Sequence, residues 1–256
     1  MNKEINQLEV IKYYHKLSMD YIPNEILENK YICYYDHECP NMFLWNTFFQ
    51  FDNDIEFNHI NLKKISEFFH KKGTKGYILS MSELYKEFSF YHGCYMYLNN
   101  IRAQNDINIS KEFQLVKIED TYLFTDYINN IFKMSPTEIN KLAKLLKELN
   151  KFFNTNSYFF NYNDKTIGAI TSIEFEKDKI FLFNLGILDT FQNKGYSRIL
   201  LSLLLNKNKN KEIYLQTNVN NTLSKFTLPK LGFKIVGTHH LLELEKLLDK
   251  FEYNHE

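Results

Sequence analysis

From Gln114 onward the apolar and polar positions fall into short, regular blocks. Gln114-Leu115-Val116-Lys117-Ile118 alternates as a half-buried strand does, and Tyr122 to Phe132 carries apolar residues at helical spacing. Ser135-Pro136-Thr137-Glu138 then opens a second helix. The serine caps it, the proline suits the first helical position and Glu138 closes a capping box. That helix is predicted to run to about Phe152. Ser157–Tyr162, Thr166–Phe175 and Lys179–Leu188 read as three strands with turns at Asn163-Asp164 and at Glu176-Lys177-Asp178, which predicts an antiparallel meander. Lys194–Leu205 follows as a helix, Glu212–Thr217 as a strand, Asn221–Leu231 as a short helix, and Phe233–Val236 and His239–Leu244 as two strands.

The pattern before Gln114 is less regular. Gln7–Met19 has helical spacing, Tyr31–Tyr35 and Met42–Phe51 read as strands, and Asn61–Lys72 places Leu62, Ile65, Phe68 and Phe69 on one helix face before Gly73 ends it. Gly76–Ser80 reads as a strand. Ser82–Phe90 gives a short helix running into a strand that includes Tyr95–Leu98. This last block echoes Lys225–Phe233, with Phe88 over Leu231 and Phe90 over Phe233. A duplicated fold and a chance likeness both fit so faint an echo. The polar stretch Gln104-Asn105-Asp106-Ile107-Asn108 is the best linker, which divides the chain into an α/β domain at 1–108 and a second domain at 112–256.

Composition narrows the partners. The chain has 256 residues, 44% of them hydrophobic, enough for a substantial core. Lysine and arginine number 31, as do aspartate and glutamate, so no global field draws the protein to nucleic acid or anionic lipid. The first residues lack an apolar core segment, and the longest aliphatic run, Ile199–Leu205, is interrupted by Ser202, so no membrane association is expected. Three cysteines, Cys33, Cys39 and Cys94, cannot all pair and suit a reducing compartment, the cytoplasm. All eight glycines lie at or after Gly73, so the first 72 residues lack the residue most used in phosphate-hugging turns.

The candidate chemistry sits at Gln192-Asn193-Lys194-Gly195-Tyr196-Ser197, between an apolar strand and an apolar helix. Gly195 and the small Ser197 leave room for a ligand near the backbone, and the new helix presents free N–H groups with its positive dipole end behind them. That arrangement suits a pyrophosphate. A Walker A loop would need a Gly-Lys-Ser/Thr ending and the dinucleotide fingerprint a third glycine, so both are poor fits. By itself the turn is compatible with an ordinary bend. Its context is more specific: Asn221 opens a short helix that ends in Lys230-Leu231-Gly232-Phe233-Lys234-Ile235-Val236-Gly237.

Together these two segments and the strand order resemble the GNAT superfamily of acyl-CoA N-acyltransferases, over about Gln114 to Leu244. The resemblance implies an α/β (α+β) fold, a mixed, mostly antiparallel sheet of about seven strands flanked by helices, with the N-terminal α/β half a candidate degenerate copy. It implies that Gln192, Gly195 and Ser197, with the backbone of Asn193, Lys194 and Tyr196, hold the CoA pyrophosphate. It further implies that Leu185, Gly186 and Ile187 offer backbone to the pantetheine on a strand that splays from its neighbour, and that Asn221 points at the same arm. The expected reaction is acetyl transfer from acetyl-CoA to a primary amine of a small molecule or peptide. The alternatives are an acyl-CoA sensor or scaffold, or transfer of another acyl group.

Two departures leave the catalytic residues unassigned. Leu228 stands where relatives commonly carry the tyrosine that protonates the thiolate, and Phe181 where some carry a glutamate base. Glu174, Tyr158, Tyr162 and His239 are the remaining polar candidates. No metal is expected: Cys33-x-x-x-His37-x-Cys39 supplies only three ligands, and His239 and His240 should face opposite sides of a strand, one packed and one exposed. Lys207-Asn208-Lys209-Asn210-Lys211 reads as a solvated loop near the 3′-phosphate of CoA.

Overall fold

The computed structural model describes residues 22–27, 31–50, 59–99 and 109–253. The segments read as an N-terminal helix, Gln7–Met19, and as the linker, Gln104–Asn108, lie outside them. In chain order the strands are β1 (Asn24–Leu27), β2 (Tyr31–Tyr34), β3 (Thr47–Gln50), β4 (Tyr77–Ser80), β5 (Ser89–Asn99), β6 (Phe113–Ile118), β7 (Asn154–Tyr162), β8 (Lys165–Glu176), β9 (Lys179–Ile187), β10 (Glu212–Asn218) and β11 (Lys234–Glu243). The helices are α1 (His59–Lys71), α2 (Thr121–Phe132), α3 (Pro136–Phe152), α4 (Tyr196–Lys207) and α5 (Leu244–Tyr253). A 3-10 helix spans Glu83–Phe88, and a π-helical turn, Leu223–Thr227, continues into one α-turn at Leu228–Lys230.

By internal contacts the chain forms two compact units. One joins Met1–Cys94 to Gly237–Glu256, and the other is Tyr95–Val236.

In the first unit β1 and β2, then β2 and β3, pair antiparallel, β3 and β4 pair parallel, and β4 pairs antiparallel with β11. The parallel pair is joined by α1, whose Leu62, Ile65, Phe68 and Phe69 are buried as their spacing predicts. Gly73 ends that helix with φ +69°, its N–H on His70 and that of Thr74 on Phe69, a Schellman close that favours glycine. Leu247 and Leu248 of α5 join Leu62, Ile65 and Phe69 in one apolar cluster with Cys33, Phe48 and Ile78. Tyr34, Cys39, Trp45, Phe49, Leu79 and Leu241 form a second.

The second unit contains the meander. β6, β7, β8 and β9 pair antiparallel in succession, and β9 pairs parallel with β10. The β7–β8 turn has both Asn163 and Asp164 at positive φ, 46° and 62°, the left-handed pair that suits a tight hairpin. α3 begins on the full capping box: Ser135 Oγ accepts from the Glu138 N–H and Glu138 accepts from the Ser135 N–H. α2 packs on β7, β8 and β9, with Phe124 and Tyr127 against Phe159. Tyr196 of α4 lies against Tyr162, the other side of β7, so helices flank the sheet on both faces.

The fold is thus the mixed, mostly antiparallel α/β sheet with flanking helices that the sequence implied. Its C-terminal end differs from expectation. The two strands expected at Phe233–Val236 and His239–Leu244 are one continuous strand, β11, and a helix, α5, follows that was not expected. Gly237 and Thr238, between the two expected strands, continue the extended chain. Likewise Met42–Phe51 is a 3-10 turn, Phe43–Trp45, before the short β3.

Candidate functional site

β9 and β10 run side by side only from Lys179 opposite Glu212 to Leu182 opposite Leu215, although β9 continues to Ile187 and β10 to Asn218. Beyond Leu182 the two strands part. The cause lies in the pairing of β9 with β8. Thr171 faces Phe183 and Ala169 faces Gly186, so Ile170 alone on β8 stands opposite two residues, Asn184 and Leu185, on β9. This is a β-bulge, and Asn184 takes the left-handed conformation, φ 52°, that asparagine tolerates better than most residues. A bulge bends its strand and raises the local twist, which carries Leu185–Ile187 away from β10.

Two glycines make this bend possible. A Cβ on Gly168 would lie 2.7 Å from the Gly186 carbonyl oxygen and 2.7 Å from Ile187 Cδ1. A Cβ on Gly186 would lie 2.4 Å from Ile131 Cγ2 and 3.1 Å from Phe132 Cζ at the end of α2. The end of α2 therefore walls the bulge with apolar side chains. Asn184 Nδ2 donates to Thr171 Oγ1 at 3.3 Å, and Thr171 lies 3.5 Å from Ser157 Oγ, a short polar row at the bulge.

After β9 the chain makes a 3-10 turn, Asp189–Phe191, and enters the segment singled out above. Gln192 uses its amide inside the turn, donating to the Ile187 carbonyl at 3.1 Å and to Asp189 Oδ1 at 2.9 Å. Lys194 Nζ donates to the Thr190 carbonyl at 3.1 Å and lies over the Phe191 ring. Asn193 and Gly195 both take positive φ, 61° and 78°, and Gly195 occupies the N-cap of α4 with no side-chain cap. The N–H groups of Asn193, Lys194, Gly195, Tyr196 and Ser197 donate to no acceptor among the described residues. A Cβ built on Gly195 meets nothing within 4 Å. Five consecutive free donors at a helix N-terminus are an arrangement that can take an anion. Beneath it Tyr196 packs on Tyr162 at 5.5 Å, on Phe113 at 5.6 Å and on Phe191 at 6.2 Å, which fixes the helix start to β6 and β7.

The other sequence candidates are distributed unevenly. Asn221 is exposed and spends its amide locally, donating to Thr217 Oγ1 and accepting from the Ser224 N–H, both at 2.7 Å. Leu228 is fully buried, in the α-turn after a π-helical stretch. Pro229 supplies no N–H, so the preceding turn widens and the Leu228 N–H reaches the Leu223 carbonyl. Phe181 is buried beside Phe183. Leu228→Tyr, which restores the tyrosine common in relatives, is therefore expected to overpack a closed site: thermal melting should report a loss of about 1–3 kcal/mol, with no gain in turnover.

Glu174 pairs with Lys211 at 2.8 Å and stands opposite Ile180, about 23 Å along β9 from Ile187 at 3.3 Å per residue. It is remote from the turn. Tyr162 buttresses Tyr196, as above, and Tyr158 is buried beneath Lys207. His239 belongs to the first unit, fully buried with its ring where a Gly93 Cβ would be. His240 is equally buried, so the expectation of one exposed histidine is overturned. The 207–211 loop lies past the C-terminal end of α4, about 18 Å from its start. It is not beside the turn. The Cys33, His37 and Cys39 set is dispersed: the two cysteines pack into different apolar clusters and His37 is exposed.

Sequence reasoning missed Asn184 and Tyr127. A lone asparagine inside Ile180–Ile187, an otherwise apolar strand, was the available signal for the bulge. Tyr127 left none: its ring packs on Phe159, its hydroxyl is buried with no partner among the described residues, and burial pushes its pKa up to about 12.

A parallel strand pair that opens beside a glycine-led turn with free N–H groups has room and donors for a phosphorylated ligand. Residues 125–233 match the model of the acetyltransferase (GNAT) family, and the domain they lie in belongs to that superfamily. A GCN5-related N-acetyltransferase from Kribbella flavida has a similar structure at a TM-score of 0.64 and 7% identity, with 93% of this chain and 94% of that one covered. A functionally unknown conserved protein from Staphylococcus epidermidis follows at 0.61 and 12%, covering 90% and 97%. Another GCN5-related N-acetyltransferase, from Sphaerobacter thermophilus, gives 0.57 and 9% over 76% and 71%. No curated protein sequence matches the chain. Membership of this family supports acyl or acetyl transfer as the activity. Among the described residues no helix is long and apolar enough to cross a membrane.

Proposed function

We propose that the protein is an N-acetyltransferase that moves an acetyl group from acetyl-CoA to a primary amine of a small molecule or peptide. The reading rests on the five free N–H groups of residues 193–197 around the left-handed Gly195. They suit the two phosphates of CoA, and the gap where β9 leaves β10 suits the pantetheine, with backbone offered by Leu185, Gly186 and Ile187. Gln192 acts here by holding the turn, and Asn221 by capping the helix that follows β10. The amine attacks the thioester carbonyl, the C–N bond forms as the C–S bond breaks, and CoA leaves as the thiol with the proton the amine gives up. Such a reaction needs chiefly proximity and an oxyanion contact. Ile131 and Phe132, close over Gly186, favour an acceptor with an apolar portion beside its amine.

Acetyl-CoA at saturating concentration should raise the melting temperature, as a ligand that binds only the folded state must. Absence of any rise sinks the proposal. A second reading, an acyl-CoA sensor without turnover, is favoured by the apolar residues at Leu228 and Phe181. Thiol release over a panel of amines separates the two, since steady CoA release with any amine excludes the sensor.

We read residues 1–108 as a degenerate copy of the fold of residues 112–256, the two sequence-level domains. Support comes from the shared order of a strand, a helix, a parallel strand, a short helical turn and a long strand: β3, α1, β4, Glu83–Phe88 and β5 in one case, and β9, α4, β10, Leu223–Lys230 and β11 in the other.

A further inference from the structure

The first unit brings together three side chains that the acyltransferase reading does not use. Glu83 opens the 3-10 helix before β5, His92 lies in β5 and His240 in β11. The two imidazoles stand face to face, with ring centroids 4.4 Å apart and 31° between planes. Glu83 Oε1 is 3.2 Å from His240 Nε2 and accepts from Thr238 Oγ1 at 3.3 Å. One ligand atom from each of Glu83, His92 and His240 falls within 4.8 Å of the others.

A plain histidine–carboxylate hydrogen bond leaves part of this unexplained. His92 Nε2 and His240 Nδ1 are buried with no hydrogen-bond partner among the described residues, and His240 is fully buried. An orphaned buried nitrogen is costly and calls for a partner. The lone pair of His92 Nε2 can serve a cation that Glu83 Oε1 and His240 Nε2, 3.2 Å apart, also ligate.

We propose that Glu83, His92 and His240 form a binding site for one divalent transition cation of the zinc class. Two imidazole nitrogens and one carboxylate oxygen suit zinc, cobalt or nickel and suit magnesium and calcium poorly, since those favour oxygen throughout. Tetrahedral ligands at zinc distances lie about 3.3 Å apart, close to the 3.2 Å between Glu83 and His240. Glu83 is 58% exposed, which gives the ion a path in and the carboxylate freedom to turn onto it. The ion would tie the 3-10 helix to two strands and so act as a clasp on the first unit.

The test uses the full chain, stripped with a chelator and titrated with cobalt(II) chloride. One equivalent should produce the visible d–d absorption of a low-coordinate cobalt site, zinc chloride should abolish it, and zinc should raise the melting temperature. Glu83→Gln, an exposed change that leaves the fold intact, and His92→Gln should each weaken cobalt binding at least tenfold. His70→Ala, which removes a surface histidine paired with Glu245, should bind as the wild type does. Wild-type protein that gives no cobalt absorption overturns the proposal, and so does absorption that persists undiminished in both Glu83→Gln and His92→Gln.

Discussion

Gly195→Glu is expected to abolish the rise in melting temperature that acetyl-CoA gives the wild-type protein. Gly195 sits at φ +78° and ψ +4°, where any side chain is strained by about 1–2 kcal/mol. Yet nothing lies within 4 Å of an added Cβ, so the side chain projects into the space over the free N–H groups. On the proposed function, a carboxylate there occupies the donors offered to the CoA phosphates and repels their charge. Gly195→Ala carries the same strain without the charge. Both variants should lose a few degrees of stability, at roughly 2–4 °C per kcal/mol. Only Gly195→Glu should lose ligand affinity by about a hundredfold or more, equivalent to roughly 2.7 kcal/mol. Equal affinity in the two variants would mean that Gly195 serves the turn alone.

Gly168→Ala should be the most damaging single methyl in the second unit. Its Cβ falls 2.7 Å from the Gly186 carbonyl oxygen, and backbone cannot yield as a flexible side chain can. β8 and β9 must separate at the bulge, at a cost near the upper end of the overpacking range, about 3 kcal/mol. The segment Leu185–Ile187 moves with β9, so KM for acetyl-CoA should rise as well. Gly73→Ala is the control: Gly73 also needs a positive φ but has open space around it, so only the strain of about 1 kcal/mol applies. If the two variants melt together, close approach at Gly168 is not what holds the bulge.

What was legible in the sequence was what local chemistry decides. The capping box at Ser135 and Glu138, the Asn163-Asp164 hairpin and the Schellman close at Gly73 each depend on a few adjacent residues, and each is present. The position of the five free N–H groups was legible for the same reason, since a glycine before an apolar helix fixes where such groups appear. Side-chain roles within it were not. Gln192 looks like a ligand contact in the sequence, but its amide closes on Ile187 and Asp189, a choice set by the 3-10 turn between them. β11 was read as two strands because local pattern does not show what pairs with it, whereas His240–Glu243 pair with β4 and the strand runs on through Gly237. Long-range pairing also buried both His239 and His240, where period-two reasoning could assign opposite faces but not what covered each.

The three cysteines have a practical consequence for the assay. Cys33, Cys39 and Cys94 are buried and none is in a disulfide, and burial pushes the thiols of Cys33 and Cys94 up to about 12 and about 11. Thiolate is the reactive form and burial screens all three sulfurs from reagent, so a disulfide-exchange dye is expected to leave them unreacted while the chain is folded. Colour developed during turnover would then come from coenzyme sulfur alone, and a sudden extra burst on warming would count unfolded molecules in the same cuvette.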